Sequence, residues 1–160
     1  MASIKYLQDI DIDGSLTVGD ELILKDNTKI VLDTDITTNS QMNGTIIKSV
    51  STSVVQGVIY GLTTGFSPFW SAADADSDIT TKLLAIAAST DADEGMLVNG
   101  VFRDSSHGFT VGSPLYVSNT AGVLTNTAPT GTNDYVRVVG YAIDSDHIYF
   151  NPDNTWVQLA

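Results

Sequence analysis

The sequence predicts an all-β protein: a short, strand-rich N-terminal stem followed by an antiparallel β-barrel or β-sandwich head. Three observations predict it. Ser, Thr, Asn, Asp and Gly fill much of the chain, and these residues compete with helix hydrogen bonds while suiting turns. Apolar and polar residues alternate through residues 1–40, the period of strands with one buried face. The remainder breaks into short apolar runs separated by turn signals. With 160 residues, 42% of them hydrophobic and 16% charged, the chain is long and apolar enough for a real core.

In the N-terminal segment Ile10, Ile12, Leu16, Val18, Leu22, Leu24, Ile30, Leu32 and Ile36 all fall on even positions. Their neighbours include Asp9, Asp11, Asp13, Thr17, Lys25, Asp33 and Asp35, and Asp13-Gly14, Val18-Gly19-Asp20 and Lys25-Asp26-Asn27 read as turns. Below about 40 residues a chain rarely buries such a face alone without a metal, a disulfide or oligomerisation. Cysteine is absent, which removes disulfides, thiolate catalysis and Cys-based zinc sites, so sister chains or the following domain must cover the face. Sister chains are the preferred cover. Residues 5–36 are expected to intertwine about a symmetry axis, with Ile10, Ile12, Leu16, Val18, Leu22 and Leu24 as the oligomer contacts. The polar run 37–44 is taken as the boundary between a stem or anchor, 1–40, and a head, 45–160.

In the head the expected strands are Thr45–Val50, Val54–Leu62, Phe69–Ala73, Leu83–Ser89, Met96–Phe102, Pro114–Ser118, Gly122–Asn126, Tyr135–Ile143, His147–Phe150 and Thr155–Leu159. Turns are expected at Asn119-Thr120-Ala121-Gly122, Asp144-Ser145-Asp146 and Asn151-Pro152-Asp153-Asn154. Gly57, Gly61 and Gly140 lie within apolar runs, where bulges or sharp corners commonly occur. Residues 78–88 are ambiguous, because Asp78 could cap a helix rich in Ala and Leu. The strand reading is preferred there, since 89–95 is a plausible connection into the next apolar run.

The head then shows an ordered series of small motifs. Val58-Ile59-Tyr60 is followed by Phe69-Trp70-Ser71-Ala72-Ala73-Asp74-Ala75-Asp76, Leu83-Leu84-Ala85-Ile86-Ala87 and Gly95-Met96-Leu97-Val98-Asn99-Gly100. Val111-Gly112-Ser113-Pro114-Leu115-Tyr116-Val117-Ser118, Ala128-Pro129, Val136-Arg137-Val138-Val139-Gly140-Tyr141 and Tyr149-Phe150-Asn151-Pro152-Asp153-Asn154-Thr155-Trp156-Val157-Gln158 complete it. The series, over residues 56–160, resembles a module that ends tail-fibre-like and other structural proteins of tailed phages, marine and cyanobacterial ones in particular. Residues 1–40 are similar in style to fibre-shaft repeats. The resemblance implies a virion location, a structural or adhesive role and a three-fold stem, hence a homotrimer touching other capsid or tail proteins. It supplies no catalytic residues. The chain is shorter than a long fibre, which brings a capsid decoration or cement protein forward as the alternative.

The formal charge of −12, from 19 acids against 7 Lys and Arg, repels nucleic acid and anionic lipid, so neither is an expected partner. The N-terminus lacks a signal peptide's basic start and apolar run, and no stretch is long enough for a membrane helix, so synthesis in the host cytoplasm without membrane insertion is expected.

Asp9-Ile10-Asp11-Ile12-Asp13-Gly14, with Asp20 at the twelfth position, matches the opening of a calcium loop. Ile10 and Ile12 suit core-facing strand positions, however, so the acids read better as a solvated strand face. Asp74-Asp76-Asp78 and Asp91-Asp93-Glu94 read as exposed turns, and no metal or other cofactor is expected. Asp104, Ser105, Ser106 and His107 include hydrolase-triad residue types, but triad members converge from separate segments, so a polar loop is expected and no enzyme activity. Two histidines without cysteine supply too few nitrogen ligands for zinc. Among Tyr60, Phe66, Phe69, Trp70, Tyr116, Tyr135, Tyr141, Tyr149, Phe150 and Trp156 a host-glycan platform is the alternative from another class, although core or subunit contact is the commoner use of strand aromatics.

Overall fold

The computed structural model describes residue 32, residues 34–65 and residues 68–160, which belong to one unit beginning at Leu32. The proposed stem contacts Ile10, Ile12, Leu16, Val18, Leu22 and Leu24, the calcium-like loop and Phe66 lie outside the described residues. The strands are β1 (Met42–Ile47), β2 (Ile59–Thr64), β3 (Pro68–Ala72), β4 (Leu84–Ala87), β5 (Met96–Arg103), β6 (Pro114–Val117), β7 (Leu124–Thr125), β8 (Tyr135–Val136), β9 (Val138–Ala142), β10 (His147–Phe150) and β11 (Val157–Gln158). One short 3₁₀ turn, Asp78–Thr81, is the helical element among the described residues. The chain is all-β and antiparallel, as the composition and turn spacing predict, and its main sheet curls into a half-barrel.

β5 organises that sheet. Leu97 pairs with both Ile46 and Ile86, and Phe102 with both Met42 and Ile148, so β1 runs along one edge while β4 and β10 share the other. The sheet therefore forks at β5 into an arm β4-β2-β3 and an arm β10-β9-β6-β7. The register of β1 shifts between Thr45 and Ile46, leaving Val98 as an extra residue on β5. Such a bulge reverses which side chains face inward. It explains how Leu97 and Phe102, five positions apart, both reach the same core. Gly44 and Gly100 face each other across this pair, and a Cβ on either would collide with the backbone of the other strand.

The arms curl over a shared core of Ile59, Leu84, Ile86, Leu97, Phe102, Leu115, Val117, Val139, Ile148 and Phe150. Backbone bonds draw their free ends together. Gly122 N–H donates to the Ala73 carbonyl at 2.7 Å, Ala75 N–H to the Ser118 carbonyl at 3.0 Å, and Tyr135 N–H to the Ala75 carbonyl. A second cluster of Val54, Tyr60, Trp70, Ala85, Ala87, Ala92 and Met96 covers the outer face of the β4-β2-β3 arm.

Several boundaries differ from the expectation, each for a local reason. The polar run 37–44 gives Met42, Asn43 and Gly44 to β1, an edge strand whose outward positions tolerate polar side chains. Residues 54–58 are loop, because Gly57 takes φ +82 in a turn. The run Tyr135–Ile143 breaks at Arg137, which leaves the strand path to bond buried carbonyls. In 78–88 the capped segment closes after one 3₁₀ turn, with Ser77 as its cap, and β4 follows as a strand. The expected bulge near Gly140 exists: Leu115 pairs with Gly140 and Tyr116 with Val138, leaving Val139 extra. Gly61 instead marks a close approach, because a Cβ there would meet Ile79.

Candidate functional site

Beyond the β5 end of the core lie two histidines with opposite surroundings. The first, His147, opens β10 and is buried, at 7% exposure. It follows the tight turn Asp144-Ser145-Asp146, whose shape is fixed by the Asp144 carboxylate accepting the N–H groups of Asp146 and His147, each at 2.8 Å. Nδ1 of His147 lies 2.9 Å from both Asp144 oxygens. Nε2 lies 3.1 Å from the Ile36 carbonyl and 3.3 Å from Arg103 Nη1. That nitrogen serves the carbonyl when it carries a proton and the guanidinium when it does not. Arg103 also reaches Asp146 at 3.3 Å, and the Arg103 backbone exchanges hydrogen bonds with Ser40 and Gln41. Burial by itself would raise the Asp144 carboxyl, but the two backbone N–H donors and His147 together hold it below the ordinary value. The cluster fastens the chain at residue 36 to the paired strands β5 and β10.

The second, His107, stands in the loop after β5 and stacks on Phe109, with ring centroids 4.8 Å apart and planes 21° from parallel. The Phe109 N–H donates to His107 Nδ1 at 3.0 Å, which in the neutral ring leaves the proton on Nε2. Nε2 is buried with no partner among the described residues. A buried donor in that condition costs about 1–3 kcal/mol. His107 and Asp104 line a cavity of about 370 Å³ walled by Phe102, Phe109, Val123 and Leu124. Gly57 and Gly122, at φ +82 and +79, complete its wall with backbone alone. Burial pushes the Asp104 carboxyl above its ordinary value, opposed by the electrostatic pull that His107 exerts when protonated.

Adjacency in sequence does not become a triad in space. Ser105 and Ser106 are exposed, and their backbone N–H groups donate to Asn39 at 2.7 Å and Asp146 at 2.8 Å. No hydrogen bond among the described residues joins either hydroxyl to His107. The acidic clusters hold turns: Asp91 accepts from Ser51 Oγ at 2.8 Å and Thr52 N–H at 3.0 Å, Ser89 donates to Glu94, and Asp78 pairs with Lys82 at 2.9 Å. Among the described residues no three His, Cys, Asp or Glu side chains gather as a metal site.

Of the candidate sugar-stacking aromatics, Tyr60, Trp70 and Phe150 are buried and Tyr116, Tyr135 and Tyr149 half-buried. Phe69, Tyr141 and Trp156 are exposed. Trp156 covers the Arg137 guanidinium at 5.7 Å. Tyr141 borders a groove of about 330 Å³ with Asn151, Asp153 and Asn154. The His147 cluster carries a readable signal in the spacing Asp144-x-x-His147 across a turn. The cavity carries none, because its walls come from residues 57, 102–109 and 122–124. Comparison with known proteins finds no match for this chain, whether among family models, curated sequences or solved structures.

Proposed function

We propose that the protein is a non-enzymatic structural subunit of a bacteriophage particle, fibre-like or a surface decoration, carrying its β head on a self-associating N-terminal stem. The observation that supports this most is the mounting of the incoming chain. At the end of the proposed stem, the Ile36 carbonyl meets His147 and Arg103, and β1 then pairs along β5 from Met42 to Ile47. A pull on the N-terminal segment is thereby spread over a ladder of backbone bonds in the central strand, as a displayed head requires. The acidic surface keeps displayed copies soluble and apart.

The stem is tested by light scattering on the full chain. A trimer that falls to monomers when Leu22 and Leu24 are both changed to Asp is the expected result, because an uncompensated charge in an apolar seam is not tolerated. An unchanged mass overturns the assignment of those contacts, and a monomeric wild type favours a cement that needs the capsid as its partner. Antibody raised against the head should decorate intact particles in electron micrographs, and particles left bare overturn the virion placement.

A further inference from the structure

We propose that the Asp104–His107 cavity is a saccharide-binding site, in which two neighbouring hydroxyls of one sugar ring engage the Asp104 carboxylate and the His107 Nε2–H. The inference concerns the head itself and is independent of how copies are joined or where they are displayed.

Three features select the ligand class. The polar residues lining the cavity are Asp104, whose carboxylate has no side-chain hydrogen bond among the described residues, and His107, whose remaining N–H is buried and unbonded. Within one cavity they supply one acceptor and one donor, a pair that a vicinal diol satisfies because each hydroxyl both donates and accepts. The walls are Phe102, Phe109, Val123 and Leu124, an apolar surface suited to the C–H face of a pyranose. The charge environment excludes anions: no Lys or Arg lines the cavity, Asp104 does, and the whole chain carries −12. At about 370 Å³ the cavity falls within the roughly 300–1,000 Å³ range of small-molecule pockets. Each polar group is also held in place. The Phe109 N–H fixes the His107 tautomer, Phe109 stacks its ring, and the Asp104 N–H is tied to the Asp146 carbonyl at 2.9 Å.

Binding rather than turnover is proposed because glycoside hydrolysis works with a pair of carboxyl groups, and among the described residues Asp104 alone contributes a carboxyl to the lining. The competing location is the Tyr141 groove, which is slightly smaller and has its tyrosine open to solvent at 45% exposure.

The test is saturation-transfer NMR on the full chain with methyl α-D-glucopyranoside, methyl α-D-galactopyranoside and methyl α-D-mannopyranoside, each titrated alone. Saturation of at least one glycoside is expected. Its affinity should fall about tenfold in Asp104→Asn and in His107→Phe, and stay unchanged in Tyr141→Ala. The Asn variant keeps the size of Asp104 and removes a charge that burial disfavours, so it folds even where the Phe variant does not. Melting temperatures on the same samples verify this. No saturation by any of the three glycosides overturns the proposal. So does binding that survives both cavity variants, or binding abolished by Tyr141→Ala, which places the sugar in the other groove.

Discussion

The two arms of the forked sheet share one core but not one environment. The β4-β2-β3 arm is covered on both faces, by the shared core inside and by the Val54, Trp70, Ala92 and Met96 cluster outside. All four residues of β4 are buried as a result. The β10-β9-β6-β7 arm is covered on one face: Leu115 and Val117 point inward while Tyr116 is half-buried, and Tyr141 stands exposed between buried Gly140 and Ala142. A strand with one wet face writes its orientation into its sequence as alternation. A strand with two dry faces writes only a run of apolar residues, which a buried helix would write equally well.

The difference has a sharp mutational signature. In Ala85→Asp the new carboxylate enters the outer cluster, where no cation is present among the described neighbours, and the head should lose more than about 4 kcal/mol or fail to fold. Tyr141→Asp on the other arm should cost less than about 1 kcal/mol, because that side chain is open to water. Urea unfolding of the two variants measures both. Comparable losses would mean that the outer faces do not differ in the way described. A smaller effect tests how the arms are joined. Arg137 donates from Nη1 to the Thr80 and Lys82 carbonyls, ahead of β4, and from Nε to the Asp153 carbonyl, beyond β10, each at 2.7 Å. Burial lowers its guanidinium below the usual value, with Asp153 opposing the shift. Arg137→Met keeps the stem of the side chain and strands these carbonyls, so a loss of about 2–3 kcal/mol is expected.

How much of this was legible in the sequence follows the same division. The expected strand His147–Phe150 matches to the residue, and the β6–β7 and β9–β10 turns fall where Gly122 and Asp144 put them, whereas Asn151 and Asp153 still donate to the Val139 and Val138 carbonyls and the chain bends only at Asn154. The sequence is ambiguous between strand and helix over 78–88, at the doubly covered β4, where alternation is absent. Strand starts depart from the expectation where tertiary contacts decide them. Met42-Asn43-Gly44 looks like loop, and it is a strand because Gly100 opposite allows the backbone to approach. Arg137 sits inside an apolar run and gives no local hint that it leaves the ladder. The cavity is illegible for a simpler reason: Phe102, Asp104, His107 and Phe109 are neighbours in sequence, but Gly57 and Gly122, Val123 and Leu124, which complete the site around them, come from distant parts of the chain.

The smallest expected effect compares two carboxyls near the same end of the head that burial and hydrogen bonding move in opposite directions. Asp144 is held below its ordinary value, since its backbone and His147 donors outweigh burial, while Asp104 is raised by burial. A depressed carboxyl contributes stability above its unfolded value that is lost as pH falls through its folded value. A raised one contributes stability below its unfolded value that is lost as pH rises through its folded value. Asp144→Asn should therefore lower the melting temperature at neutral pH, and the gap to the wild type should close as acid protonates Asp144 in the wild-type protein. The Asp144 side chain is 47% exposed, so solvent screening limits the loss to no more than about 1 kcal/mol, or roughly 3–4 °C. Asp104→Asn should instead leave the melting temperature unchanged or raise it slightly at neutral pH, with the gain vanishing in acid. Calorimetric scans of both variants between pH values on either side of the carboxylate range decide the matter. If both gaps moved in the same direction with pH, Asp104 and Asp144 would share one environment, and the contrast between an open cavity wall and a closed hairpin turn would be lost.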